Sequence, residues 1–121
     1  MTSTPRVVLV VDDNRDAADS LVMLLELGGH RVTVAYSAPD ALKSAPELKP
    51  SVILMDIGLP EVDGCEVARR MRRMPELTGV RLIALTGYGS DEDRRRTREA
   101  GFDLHLVKPV DLDDLERAVG T

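Results

Sequence analysis

Five short apolar runs recur along the chain and alternate with segments of helical periodicity, and this alternation limits the fold more than any other feature. The first run, at residues 7–11, is β-branched and uninterrupted, as in a strand buried on both faces of a parallel sheet. Similar runs occupy residues 31–35, 52–55, 82–85 and 104–107. Strict alternation with short connections predicts an α/β fold whose parallel sheet is covered by helices on both faces. Right-handed crossovers leave few strand orders, and we favour a doubly wound five-stranded sheet in the order 2-1-3-4-5.

The helical segments are bounded by recognisable start and stop signals. The first helix is predicted to end at Gly28, a favourable C-terminal cap, and the second to begin after Ser37 as its N-cap. Pro46 is predicted to end or kink the second helix early, because proline removes a hydrogen bond and clashes with the preceding turn. The third helix is placed at about residues 65–74 and the last from about Leu112. The third helix is predicted to direct its arginines into solvent: Arg69, Arg70, Arg72 and Arg73.

The fourth helix, at residues 91–100, differs from the others because its sequence, DEDRRRTREA, contains no large apolar residue. A helix that is polar all round gains little from packing and depends on side-chain pairs along its own surface. The candidate pairs are Asp91 with Arg95 and Glu92 with Arg96. Each is worth only about 0.2–0.5 kcal/mol. We therefore expect this helix to be the least stable of the five and to be mobile before any activating event.

Composition and charge bound the domain organisation. The chain has 121 residues with 43% hydrophobic content, which fits a single domain over residues 6–120, after a disordered tail or linker at residues 1–5. A net charge of −5 and few aromatic side chains argue against direct nucleic-acid binding. One cysteine excludes an internal disulfide and suits a reducing cytoplasm. No apolar run approaches the roughly 20 residues needed to span a bilayer, so no membrane segment is predicted.

Polar residues follow four of the predicted strands, where each strand ends. Asp12 and Asp13 follow the first strand, Asp56 the third, Thr86 the fourth and Lys108 the fifth. In open α/β sheets, sites form outside the carboxyl ends of the strands, at the point where the strand order reverses. Each residue has an ordinary explanation when taken alone; the two adjacent acids, for example, could cap the first helix. Their convergence on one edge instead predicts a functional site.

The residue types at this edge suit one kind of chemistry. Clustered carboxylates repel one another, and a hard divalent cation such as Mg²⁺ or Mn²⁺ relieves the repulsion through oxygen ligands. A metal-supported carboxylate can act as the nucleophile toward phosphorus and form an aspartyl phosphate. The transferred group then needs a cation and hydrogen-bond donors, which Lys108 and Thr86 can supply together with nearby backbone N–H groups.

Four motifs carry a resemblance to a known family. They are VVDDN at residues 10–14, LMDIGLPEVDG at 54–64, ALTGYG at 84–89 and LVKP at 106–109. In this order they resemble the receiver domains of response regulators in two-component signal transduction, and the match covers essentially the whole chain. The resemblance implies a flavodoxin-like (βα)5 fold, and the predicted strand order rests partly on it.

The resemblance also implies a phosphoacceptor and a metal site. Asp56 would be the phosphoacceptor. The metal would be bound directly by Asp13 and through water by Asp12, and Asp56 and the backbone carbonyl of Gly58 would be further ligands. Mg²⁺ or Mn²⁺ would be the cofactor.

On the phosphoryl side, the resemblance implies that Thr86 and Lys108 contact the transferred group, with backbone at Gly87 nearby and a cis peptide bond at Pro109 placing the lysine. Receivers commonly carry Tyr or Phe three residues before this lysine, where the present chain has His105. One hypothesis makes Thr86 and His105 a switch, in which the imidazole turns toward Thr86 when the phosphoryl group recruits the hydroxyl. The other gives His105 no switching role.

Two further positions bear on the lifetime of the phosphorylated state. Gly58 and Tyr88 lie two residues after Asp56 and Thr86, where side chains in this family affect how fast water reaches the acyl phosphate. A glycine leaves its side open, whereas a tyrosine would shield it. The two effects oppose each other, so the lifetime is left open.

As a receiver, the domain would take its phosphoryl group from a phosphohistidine on a histidine kinase or a histidine-phosphotransfer protein. It would catalyse its own phosphorylation and dephosphorylation without turning over an external substrate, and it would signal through the face of helix 4, strand 5 and helix 5. A haloacid-dehalogenase-like phosphatase needs an acid two residues after its nucleophile, where Gly58 stands. A flavin or nucleotide carrier is disfavoured because neither GxxxxGK[ST] nor GxGxxG occurs. A pseudo-receiver is disfavoured by the complete acceptor set.

The motifs ALTGYG and FDLHLVKPVD resemble the sequences of receivers in hybrid histidine kinases more than those of receivers fused to DNA-binding domains. A domain from such a kinase and a free-standing single-domain regulator both remain as hypotheses.

Overall fold

A computed structural model describes residues 6–59, 62–87 and 90–120 of the chain. Its strands are β1 (Val7–Val11), β2 (Arg31–Ala35), β3 (Val52–Asp56), β4 (Arg81–Thr86) and β5 (Leu104–Val107). Its helices are α1 (Arg15–Leu27), α2 (Ala38–Leu48), α3 (Gly64–Arg72), α4 (Asp91–Ala100) and α5 (Leu112–Gly120), with a short 3-10 turn at Pro75–Leu77. Among the described residues, no helix is long and apolar enough to cross a membrane. Neighbouring strands pair in parallel in the order β2-β1-β3-β4-β5, so the predicted fold class and strand order are confirmed.

The sheet separates two apolar layers, because successive side chains of a strand point to opposite faces. On one face, Leu9 and Ile53 pack in a cluster with side chains of α2, α3 and α4. On the other, Val10 and Leu54 pack with side chains of α1 and α5. Helices therefore cover both faces, as a doubly wound sheet requires.

The three central strands are buried except for one partly buried end residue in each. The strands β2 and β5 lie at the two edges of the sheet, and their exposure corrects the prediction of five similar buried runs. In β5 the side chains of Leu104 and Val107 are 41% and 40% exposed. An edge strand has a neighbour on one side only, so its outer flank stays open to solvent or to a partner.

The first helix is capped by Asn14, and not by either of the acids before it. The Asn14 side chain accepts a hydrogen bond from the N–H of Ala17 at 3.1 Å. Asp12 instead accepts the N–H of Asn14 at 3.0 Å. The capping explanation for Asp12 and Asp13 is therefore wrong, and both carboxylates are left for the edge of the sheet.

The second helix begins as predicted but ends later. Ser37 is its N-cap and accepts a backbone N–H three residues further on. Pro46 was expected to end or kink this helix, yet α2 continues to Leu48, and Lys49 closes it in a left-handed conformation. The predicted early end is wrong because proline removes only the hydrogen bond of its own nitrogen, and the N–H of Lys49 still donates to the carbonyl of Ala45 at 2.9 Å in the turn that contains Pro46.

Arg72 is packed between elements, although its arginine neighbours on α3 are more exposed. The helix ends at Arg72, two residues before the predicted boundary. Its Nε donates to the carbonyl of Gly101 at 2.9 Å and its Nη1 to the carbonyl of Val80 at 2.8 Å. Its Nη2 contacts Asp103 Oδ2 at 2.7 Å. The outward direction predicted for Arg72 is wrong, because its side chain reaches carbonyl groups that are distant in sequence but adjacent in space.

The fourth helix has the predicted bounds and is capped at both ends. The hydroxyl of Ser90 accepts a backbone N–H at its N-terminus, and Gly101 closes it with a φ of 109°, in the left-handed region that favours glycine. Its inner face is small: Thr97 and Ala100 are its buried residues.

The side-chain pairs predicted within this helix are not formed among the described residues. Neither Asp91 with Arg95 nor Glu92 with Arg96 makes an ion pair. Arg96 instead contacts the carboxylate of Asp63 at 2.8 Å, just before α3. Both partners are about half exposed, so this inter-helix pair contributes little to stability.

Candidate functional site

The structure brings the predicted polar residues together at the carboxyl edge of the sheet. Asp12 and Asp13 follow β1, Asp56 is the last residue of β3, Thr86 ends β4, and Lys108 follows β5. One carboxylate oxygen from each of Asp12, Asp13 and Asp56 lies within 4.8 Å of the other two. Parallel strands in this order place β1 beside β3, so residues 44 positions apart in sequence become neighbours.

Lys108 bridges two of the acids. Its Nζ lies 3.1 Å from Asp12 Oδ2 and 3.2 Å from Asp56 Oδ2. The Asp12 side chain is fully buried and that of Asp56 is 18% exposed. The backbone at Lys108 is held by the donation of its N–H to the carbonyl of Thr86 at 2.7 Å, and its peptide bond to Pro109 is cis. One ammonium group thus offsets part of the repulsion among three carboxylates.

Burial and charge oppose each other in the titration of these groups. Burial raises the pKa of Asp12 above its ordinary 3.8, although the Asn14 N–H and the Lys108 ammonium act in the opposite direction. Burial by itself would lower the pKa of Lys108, but the bond to Asp12 and the charges of Asp56 and Asp12 outweigh it, so that pKa is raised. Lys108 therefore remains an ammonium at neutral pH, whereas the ionised form of Asp12 is held at a cost in folding free energy.

Asp56 is oriented by its own turn. Its Oδ1 accepts the backbone N–H of Gly58 at 2.8 Å, which leaves Oδ2 directed toward Lys108. A Cβ added at Gly58 would lie 3.4 Å from Asp56 Oδ1, so the glycine leaves this flank of the carboxylate open. An open cleft of about 280 Å³ adjoins the carboxylate, and its lining includes Thr86, Gly87 and Arg96. Asp56 is thus accessible to an incoming group.

The cluster also fits a divalent cation. Its donors are carboxylate oxygens, which hard cations such as Mg²⁺ and Mn²⁺ prefer. Asp12 is buried and negatively charged next to two further acids, and a single lysine compensates only part of that charge. Among the described residues, Asp12, Asp13 and Asp56 can therefore hold such an ion together, with the Gly58 carbonyl as the additional ligand that the resemblance implies.

Thr86 is connected to the fourth helix by way of His105. The Thr86 hydroxyl oxygen lies 3.1 Å from His105 Nε2, and His105 Nδ1 lies 3.2 Å from the hydroxyl oxygen of Thr97. The imidazole is therefore within hydrogen-bonding distance of both hydroxyl groups, and the hypothesis that Thr86 and His105 form a switch stays a prediction. Tyr88, predicted to shield the acyl group, lies outside the described residues.

The raised pKa of Asp12 predicts that this residue lowers stability at neutral pH. A carboxyl group whose pKa is higher in the folded than in the unfolded state contributes stability below its unfolded pKa, and loses that contribution as the pH rises through its folded pKa. In metal-free solution, Asp12→Asn should therefore raise the free energy of unfolding at pH 7 by about 0.5–2 kcal/mol. The gain should shrink as the pH falls toward 3.8, where the wild-type carboxyl also becomes neutral.

Urea denaturation at a series of pH values in the presence of a chelator measures this effect. The matched control is Asp113→Asn, at an exposed position in the first turn of α5, for which we expect a change within about 0.5 kcal/mol. A less stable Asp12→Asn protein at pH 7 would contradict the prediction.

The strand order and the acidic edge with its lysine are those of a receiver domain, and comparison with known proteins agrees. Residues 8–120 match the family model described as the response regulator receiver domain. The chain therefore belongs to the response regulator receiver domain family of two-component signalling.

The chain covers different shares of the proteins to which it is similar. The chain is 41% identical over 113 residues to the transcriptional regulatory protein PrrA of Mycobacterium leprae, covering 93% of this chain and 47% of PrrA. It thus spans about half the length of that relative. It is 33% identical over 108 residues to the polar-differentiation response regulator DivK of Brucella anthropi, covering 89% of this chain and 88% of DivK.

Among solved structures, the receiver domain of the sensor histidine kinase PA1611 from Pseudomonas aeruginosa is similar, with a TM-score of 0.86 and 32% identity. The alignment covers 94% of this chain and 93% of that one. That structure has a magnesium ion coordinated in its active-site cleft.

Two residues near the site were not found by sequence reasoning. Thr97 was taken for part of a polar helix, although it is 2% exposed and contacts His105. Arg96 was predicted to pair with Glu92 on the surface of its own helix, although it lines the cleft beside Asp56. A weak signal existed for Thr97: it precedes the buried Ala100 by three residues, and the pair marks the inner face of α4.

Proposed function

We propose that this receiver domain accepts a phosphoryl group on Asp56 from a phosphohistidine, on either a histidine kinase or a histidine-phosphotransfer protein. One observation carries the proposal: the Asp56 carboxylate opens onto a cleft, contacts Lys108 and lies within 4.8 Å of carboxylate oxygens of two further acids. In the reaction, an Asp56 oxygen forms a bond to phosphorus, the P–N bond to the histidine breaks, and the imidazole leaves with the electron pair.

Each residue of the site has its own role in the proposed phosphoryl transfer. Gly58 N–H orients the Asp56 carboxylate, and the Lys108 ammonium lies close enough to contact the incoming phosphoryl oxygens. Thr86, facing the same cleft, is the hydroxyl donor to those oxygens. Asp12, Asp13, Asp56 and the Gly58 carbonyl would hold Mg²⁺ or Mn²⁺. When bound, such an ion supplies positive charge that screens the carboxylates from the phosphoryl oxygens.

The proposed domain catalyses its own phosphorylation and dephosphorylation and turns over no external substrate. Gly58 offers no second acid at the position where an aspartyl phosphatase requires one, which favours this view over hydrolysis of a free phosphoester. A cytoplasmic setting belongs to the same proposal and is supported by the single, reduced and buried Cys65. The phosphohistidine donor would lie on a separate protein or, in a hybrid histidine kinase, on the same chain.

The proposed signalling surface is the face formed by α4, β5 and α5. Large apolar side chains there are exposed: Leu104 by 41%, Val107 by 40% and Leu112 by 40%. Exposed apolar side chains on an edge strand favour contact with a partner. The contact from Thr86 through His105 to Thr97 gives this face a connection to the phosphoacceptor edge.

The proposal is tested by incubating the protein with acetyl phosphate and Mg²⁺ and measuring phosphoryl incorporation by intact mass. We expect one base-labile phosphoryl group on the wild-type protein and on the exposed control Asp113→Asn, and none on Asp56→Asn or in excess chelator. A phosphorylated histidine-phosphotransfer protein should then lose its label to the wild-type protein and to Asp113→Asn, but not to Asp56→Asn. Equal labelling of Asp56→Asn would refute the assignment of the phosphoacceptor.

The small buried face of α4 predicts local opening of this helix in the unphosphorylated protein. Its buried residues are Thr97 and Ala100, so unfolding it exposes little apolar surface. Amide hydrogen exchange in α4 should be faster than in the central strands β1, β3 and β4, and should slow when the phosphoryl mimic beryllofluoride is added with Mg²⁺. Protection in α4 equal to that in the central strands would contradict this prediction.

A further inference from the structure

Thr97 occupies an unusual place in the molecule. It is a polar residue that is 2% exposed, on a helix whose other residues, apart from Ala100, are all charged. Its hydroxyl donates to the carbonyl of Arg94 at 3.0 Å and lies 3.2 Å from His105 Nδ1. On the opposite side of the imidazole, Nε2 lies 3.1 Å from the Thr86 hydroxyl oxygen. The backbone of α4 is therefore connected to Thr86 by three consecutive hydrogen bonds.

The direction of each bond follows from the protons available. A carbonyl only accepts, so the single hydroxyl proton of Thr97 is used on Arg94. The Thr97 oxygen must then accept a proton from His105 Nδ1. A neutral imidazole carries one proton, so its Nε2 is an acceptor, and the bond to Thr86 uses the Thr86 hydroxyl proton. The chain thus runs from the Thr86 hydroxyl through His105 and Thr97 to the Arg94 carbonyl.

We propose that Thr97 is a positioning residue for phosphorylation: it holds neutral His105 with its proton on Nδ1, so that the imidazole competes with a phosphoryl group for the Thr86 hydroxyl proton. This inference rests on the proposed function, in which Thr86 donates to the phosphoryl group on Asp56. Phosphorylation breaks the Thr86–His105 bond and so changes the hydrogen bonding of Nε2 beside α4. Occupancy of Asp56 is thereby linked to the hydrogen bonding of the fourth helix.

The chain contains an internal control for the position of the proton. It has two histidines, and His30 is bonded in the opposite sense, because its Nδ1 accepts the N–H of Arg6 at 3.0 Å. Neutral His30 must therefore carry its proton on Nε2. Imidazole ¹⁵N NMR of the unphosphorylated protein, at a pH where both rings are neutral, should show opposite tautomers, with His105 protonated on Nδ1. A His105 proton on Nε2 would overturn the proposal without any variant being made.

Substitutions test the competition itself, with the dissociation constant of beryllofluoride at fixed Mg²⁺ as the readout. Thr97→Val keeps the shape of the side chain but removes the acceptor for Nδ1–H. The imidazole is then no longer held with its proton on Nδ1, and Nε2 competes less well for the Thr86 hydroxyl proton. We expect beryllofluoride to bind about 3- to 10-fold more tightly, the range of one net hydrogen bond. Thr97→Ser restores the hydroxyl and should bind as the wild type does.

His105→Phe removes the competing acceptor directly and should tighten binding by a similar factor. Adding Thr97→Val to it should then have no further effect, because both substitutions act through the same bond. Unchanged or weaker binding by His105→Phe, or additive effects in the double variant, would overturn the proposal even if Thr97→Val does not fold. If Asp56 of the wild type binds neither a phosphoryl group nor beryllofluoride, the proposed function fails instead, and the histidine tautomers remain as a separate result.

Discussion

Replacing Lys108 by methionine is expected to slow the phosphorylation of Asp56 by at least about 100-fold, the effect of removing one positioned donor from a site of developing negative charge. The Lys108 ammonium is the cation that contacts Asp56 directly, at 3.2 Å from Oδ2, and methionine retains the length of the side chain without its charge. The rate of phosphoryl incorporation from acetyl phosphate at saturating Mg²⁺ measures the effect. Lys43→Met, at an exposed position on α2, is the matched control and should phosphorylate at the wild-type rate.

The same substitution should change how stability responds to divalent cations. Without Lys108, the cluster of Asp12, Asp13 and Asp56 loses the ammonium group that contacts two of its carboxylates. We expect Mg²⁺ to raise the melting temperature of Lys108→Met by more than it raises that of Lys43→Met. Rapid phosphorylation of a folded Lys108→Met protein would show that the ammonium is not needed for the transfer.

Replacing Arg72 by alanine is expected to lower the free energy of unfolding by about 2–4 kcal/mol, more than any other arginine substitution on α3. The guanidinium satisfies the carbonyls of Gly101 and Val80 and contacts Asp103, and its loss leaves part-buried acceptors without that donor. These groups belong to the segments that follow α4 and precede β4, so the side chain ties three parts of the fold together. Urea denaturation measures the loss.

Arg73→Ala provides the comparison, because it removes an exposed guanidinium one residue further along and should change stability by about 0.5 kcal/mol or less. Since Arg72 lies at the opposite end of β4 from Thr86, its replacement should leave the phosphorylation of Asp56 in folded protein unchanged. Equal stability of the two variants would show that the three hydrogen bonds of Arg72 contribute no net free energy.

Much of the architecture was predictable because burial leaves periodic patterns in sequence. The uninterrupted apolar runs of β1, β3 and β4 correspond to strands buried on both faces, and the residues just after them converged on one edge as predicted. Parallel strands place their carboxyl ends at the same edge, so local sequence positions were enough to group Asp56 with Asp12 and Lys108. The exposure of β5 was not predictable in this way, since its residues are apolar and only the strand order makes it an edge.

The amino-acid sequence by itself therefore determined the fold class, the presence of the acidic edge and the residues that belong to that edge. These features depend on apolar periodicity and on where each strand ends. The tertiary structure alone decided which long polar side chains have partners. Arg72 reaches Asp103, 31 residues away, and His105 joins Thr86 to Thr97. A hydrogen bond between residues that are distant in sequence needs one donor and one acceptor that the fold brings close together. Neither residue produces a periodic pattern in the sequence. The Asp56 carboxylate was predictable from the sequence, but the contacts that control the neighbouring Thr86 hydroxyl are evident only from the folded molecule.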